Sequence, residues 1–78
     1  MDRMIAIDAS QFEAVMKELE DLGFEESLTA PVLDGGDPDL GLKTKLVSGY
    51  VPKEKEDAIR SVQGVLALFT PSGDMVVS

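Results

Sequence analysis

Chemistry in this chain would have to come from a short inventory. It has no histidine to act as a base near neutral pH and no cysteine to act as a nucleophile or soft metal ligand. Of the six serines, Ser10, Ser27, Ser48, Ser61 and Ser72 fall at turns, caps or strands and Ser78 is the last residue given, and no activating partner is identifiable for the first five. Asp34, Asp37 and Asp39 are the one spacing that suggests a cation site. Their loop lacks the period and closing glutamate of a calcium-binding hand, so it reads as a solvated turn. Gly35-Gly36 invites a phosphate-loop reading, but no strand-to-helix junction follows it, and a hairpin tip is the better description. The residues therefore argue against an enzyme and call for no metal and no cofactor.

Charge narrows the partners. The 78 residues carry a formal net charge of −8, from fifteen acidic and seven basic side chains. Lysine and arginine dominate phosphate neutralisation, so this balance excludes a nucleic-acid partner as an expectation, and repulsion from anionic lipid head groups does the same for a membrane surface. The longest apolar runs are five residues or fewer, far short of a membrane span. Met1-Asp2-Arg3-Met4 leads straight into a strand rather than a signal sequence, which makes a cytoplasmic chain the expectation. Its length fits one domain, residues 1–78, and 44% apolar residues suffice for a core with no disulfide to help it.

The elements follow from periodicity. Met4-Ile5-Ala6-Ile7 suits a central strand. Asp8 with Gln11, or Ser10 with Glu13, has capping-box spacing, and Phe12, Val15, Met16, Leu19 and Leu22 then recur on one helical stripe. Gly23 can end that helix in the left-handed conformation, with Phe24 folding back on the last turn. Leu28, Ala30 and Val32 alternate with Ser27, Thr29 and Pro31 as in a half-buried strand, and Pro31 puts that strand at an edge. Residues 34–41 are turn chemistry, and a third strand runs from about Leu42 to Val51. Pro52 opens a second helix with Ala58, Ile59 and Val62 inward, helped by the stem of Lys55. Gln63-Gly64 stops it, and Val65 to Phe69 is a fourth strand. After the Thr70–Gly73 turn, Asp74 to Ser78 reads either as a short fifth strand or as a loose tail.

This order predicts an α+β fold of the ferredoxin-like β-α-β-β-α-β kind, with a four-stranded antiparallel sheet and two helices on one face. Two helices cover one face only. With Ile5, Ile7, Leu28, Ala30, Val32, Val47, Val51, Leu66 and Leu68 toward the helices, Met4, Ala6, Thr29, Leu46, Tyr50, Ala67 and Phe69 point away. That outer set is mostly apolar, and an apolar patch of a few hundred Å² is the size at which a partner becomes the expectation.

The stretch VSGYVPKEKEDAIRSVQGVLAL resembles the second half of the propeptides of subtilisin-like serine proteases and of small free-standing inhibitors built on the same unit. Ala58-Ile59, Val62, Gly64-Val65 and Leu68 carry the resemblance, and FEAVMKELEDLGF fits the first half. It implies a non-catalytic module that lays its sheet against a protease and threads the following segment into the active-site cleft. The docking surface would then be Met4, Thr29, Leu46, Tyr50, Ala67 and Phe69. The occluding segment would be Asp74, Met75, Val76, Val77 and Ser78, bound as an added strand. The alternative is a self-associating domain whose open faces pair as a homodimer, with a regulatory or small-ligand role.

Overall fold

Alternation in the first strand decides where the core lies. The computed structural model describes residues 1–35 and 43–77. In β1 (Asp2–Asp8), Ile5 and Ile7 are fully buried while their neighbours are half-exposed. Asp8 ends the strand and turns the chain: its carboxylate accepts from the Ser10 amide at 3.0 Å, the Ser10 hydroxyl at 2.8 Å and the Gln11 side-chain amide at 3.2 Å. The Asp8 amide is already bonded to the Gly64 carbonyl at 2.8 Å, so Gln11 binds the carboxylate rather than closing a reciprocal capping box.

A 3-10 turn at Ala9–Gln11 leads into α1 (Phe12–Asp21), whose Val15, Met16 and Leu19 are buried against the sheet. Gly23, at φ 98°, ends the helix as expected. The Phe24 amide bonds to the Leu19 carbonyl and the Gly23 amide to the Glu20 carbonyl, the paired bonds of a Schellman ending. Phe24 itself is 3% exposed and belongs to the core.

The next segment departs from expectation. Pairing occurs at β2 (Glu25–Glu26) and again at β3 (Leu33–Gly35), with no strand through Leu28–Val32. Both pieces lie antiparallel on the same edge of β4 (Thr44–Tyr50), Glu25 opposite Tyr50 and Leu33 opposite Leu46. Between them the Ser27 amide holds the Ser48 carbonyl, while the Ser27 hydroxyl accepts from the amides of Thr29 and Ala30 and folds them into a turn. Leu28 is 99% exposed, and Val32 is exposed as well, so neither faces the helices. Core volume explains the difference. The space over this edge of β4 is occupied by the Phe24 ring, whose Cζ would lie 2.7 Å from a Cβ built on Gly49. Leu28 is left without a place to pack.

After Val51 and Pro52 comes a 3-10 turn at Lys53–Lys55, then α2 (Glu56–Arg60), five residues long. Its hold on the core is Ile59, joined by Val62 just beyond its end; Ala58 and Lys55, expected on that face, are exposed. An ion pair between Arg3 Nε and Glu56, 2.7 Å, ties it to β1. The last strand, β5 (Val65–Phe69), lies antiparallel to β1 with Met4 opposite Phe69. Register slips between Ala6 and Ile7, which face Ala67 and Val65. Leu66 is the extra residue of that bulge and is exposed rather than inward, with Val65 packed against the core instead.

Among the described residues the fold is therefore α+β, with two α-helices and a five-stranded antiparallel sheet of order β2-β4-β1-β5, β3 lying beside β2 on β4. The sheet among these residues has five strands rather than the expected four because the edge is interrupted, and residues 74–77 add no further strand. That segment makes one bridge, Phe69 to Met75, and the Val76 amide bonds to the Leu68 carbonyl at 2.8 Å. Val76 is half-buried against the core. Among the described residues no helix is long and apolar enough to cross a membrane.

Candidate functional site: the uncovered sheet face

Residues opposite one another in an antiparallel ladder point to the same side. The inward set is fixed by Ile5, Val47 and Leu68, mutually opposite and at most 1% exposed. One step along each strand, the register lines up rows on the other side. Leu33, Leu46, Ala6 and Ala67 form one row across the sheet. Ser48, Met4, Phe69 and Met75 form the next. Beyond them lie Glu25, Tyr50 and Asp2 at one end, and Gly35, Thr44 and Asp8 at the other. Two largely apolar rows are thus bounded along the strand direction by carboxylates.

Four of the expected docking residues, Met4, Leu46, Ala67 and Phe69, come together in the two central rows. Ala6 lies among them. Tyr50 sits at the margin, 47% exposed, between Asp2 and Glu25. Thr29 is off the sheet, in the turn braced by Ser27. Leu33, which falls between the expected strand and the turn and has no assigned place in the sequence pattern, is a face residue, 53% exposed. Nothing local marks it, because its place depends on pairing with Leu46 across the hairpin.

The C-terminal segment is divided. Asp74 closes a turn with Thr70, the Thr70 amide bonding to the Asp74 carbonyl at 2.8 Å and the Asp74 amide to the Thr70 hydroxyl at 3.1 Å. Met75 extends the uncovered face beside Phe69, Val76 turns under it to the core, and Val77 is exposed. Ser78 lies outside the described residues, as do Gly36, Asp37 and Asp39 of the acidic loop. Asp34 is described, and it pairs with Lys45 at 3.0 Å. No cluster of three metal-ligating side chains occurs among the described residues.

A cavity of about 300 Å³ opens at one end of the face, lined by Asp2, Arg3, Met4, Ser27, Ser48, Gly49 and Pro71. The Pro71 turn and the Ser27 turn stand on either side of it, so the face is concave there. At the opposite end, hydrogen bonds from the Ser10 hydroxyl, then the Ser10 amide, then Gln11 hold the Asp8 carboxyl below the usual aspartate range.

Comparison of the chain with protein-family models, with curated proteins and with solved structures finds no match. The functional reading rests on the face itself.

Proposed function

We propose that this chain is a non-catalytic protein-binding module that docks through its uncovered sheet face. On this reading the arrangement is ferredoxin-like β-α-β-β-α-β, with β2 and β3 as two pieces of one edge strand, since both run along the same side of β4. The observation that carries the proposal is the pair of apolar rows, Leu33-Leu46-Ala6-Ala67 and Met4-Phe69-Met75, on the side the helices leave open. Exposed apolar surface of that continuity is costly in water unless a partner covers it. The resemblance to subtilisin-like protease propeptides names a candidate partner and a steric mode of action. Met75 and Val76 are engaged with β5, so sheet docking comes first and insertion of the segment into a cleft requires Val76 to leave the core. Titration of a subtilisin-type protease with the chain is the test. Stoichiometric slowing of peptide hydrolysis is expected, and rapid cleavage of the chain with no slowing rejects this partner.

The same engagement of Met75 and Val76 favours a second reading, a homodimer through isologous faces, because a held segment widens the face instead of leaving it. Light scattering at micromolar concentration separates the two: a monomer fits the heterologous module and a dimer fits self-association.

A further inference from the structure

Charge is divided unequally between the two sides of the sheet. Arg3 and Lys45 are the cations among the described strand residues, and both point to the helix side. There Arg3 pairs with Glu56, and Lys45 pairs with Asp34 and lies 5.5 Å from the centre of the Phe12 ring. Among the described strand residues, the charged side chains of the uncovered side are carboxylates: Asp8, which also accepts from Ser10 and Gln11, at one end of the apolar rows, Asp2 and Glu25 at the other. Dimensions then restrict what can lie between them. Asp2 and Asp8 are the ends of β1, about 20 Å apart at a strand's rise per residue. A helix with its side chains is about 10–12 Å across, which leaves about 4–5 Å on either side for the head of a longer side chain. Each row crosses four strand positions, about 15 Å, the length of about ten helical residues.

We propose that the uncovered face receives one amphipathic helix of a partner protein, lying across the strands. Its apolar stripe covers the two rows, and lysine or arginine on both margins meets Asp8 on one side and Asp2 with Glu25 on the other. The proposal rests on the docking-face reading above and specifies the chemistry of the occupant. The cavity beside Asp2 gives one basic side chain a seat, its stem against Met4 and Pro71 and its cation toward the Asp2 carboxylate and the Ser27 and Ser48 hydroxyls. Arg3 also borders this cavity, but its guanidinium is committed to Glu56, the Asp2 carbonyl and the Met1 sulfur. A second copy of the chain is a poorer occupant. It brings another net −8, and among its described strand residues the cations, Arg3 and Lys45, lie on the helix side, away from the acidic margins.

Synthetic peptides of about 18 residues, five helical turns, test this with the full isotope-labelled chain. One has a leucine stripe with lysine on both margins, a second has glutamate on the margins, and a third has the first peptide's composition with the stripe scrambled. The lysine peptide is expected to shift the amide resonances of Met4, Ala6, Leu46 and Phe69, and to bind more weakly as salt is added. Asp2→Asn should weaken it about twofold to fivefold, the range of one exposed ion pair. The other two peptides should leave these resonances unmoved. Equal binding by the lysine and glutamate peptides overturns the charged margins while the docking face survives. Equal binding by the scrambled peptide overturns the helix. Shifts elsewhere, or none with any peptide, overturn the docking face as well, and a dimer of the chain alone through these rows awards the face to a second copy.

Discussion

Gly49→Ala is the substitution that most directly tests how the edge of this sheet is built. Gly49 is buried on β4 on the helix side, opposite Glu26, and its backbone angle is ordinary, so only space is at issue. An added Cβ would overlap the Glu25 carbonyl oxygen and stand 2.7 Å from Phe24 Cζ and 2.9 Å from the Glu26 Cα. A ring can rotate, but two of these three neighbours are backbone, which puts the overpacking cost near the top of the usual range, about 3 kcal/mol. Lower chain entropy in the unfolded state returns about 0.4–1 kcal/mol. The net loss is about 2 kcal/mol, a fall in Tm of about 8–16 °C for a chain of this size. Relief comes from lifting β2, because two paired residues are a weak attachment. In hydrogen exchange the Ser27 amide, now bonded to the Ser48 carbonyl, should lose its protection before the amides of β1. Adding Phe24→Leu should not restore stability, since the ring is the yielding neighbour. Unchanged stability with a protected Ser27 amide, or full rescue by Phe24→Leu, would refute this account of the edge.

Three further outcomes are expected. Leu28→Ser should change stability by no more than about 0.5 kcal/mol in urea melts, because that leucine is 99% exposed; a larger loss would mean it packs after all. Val76→Ala should cost about 1 kcal/mol, half the value of two fully buried methyl groups, and should speed exchange of its own amide, with wild-type stability as the contrary result. Asp8 sits below the usual aspartate range in the folded protein, so its contribution is full above the ordinary value near 4 and disappears as pH falls through and below it. Asp8→Asn should therefore flatten the acid side of the stability profile below about pH 5, and an unaltered slope there would show that its hydrogen bonds contribute nothing.

Both halves of this architecture are written in the chain, but at different ranges. Local pattern alone determined α1 with its glycine stop, the inward residues Ile5, Ile7, Val47, Val51 and Leu68, and the apolar character of Met4, Leu46, Ala67 and Phe69. Periods of 3.6 and 2 leave those residues few other places to go. Period cannot say which of several apolar side chains wins a limited volume, nor where a register slips. Phe24 takes the space over Gly49, so Leu28 is expelled and the edge breaks in two. A one-residue bulge against Ala6 and Ile7 turns Leu66 outward. Pairing across the hairpin brings Leu33 onto the face, and Val76 finds a berth in the core that holds the last described residues along β5. The acidic margins have the same origin: Asp2, Asp8 and Glu25 are scattered in sequence and share a surface only once the ladder has aligned them.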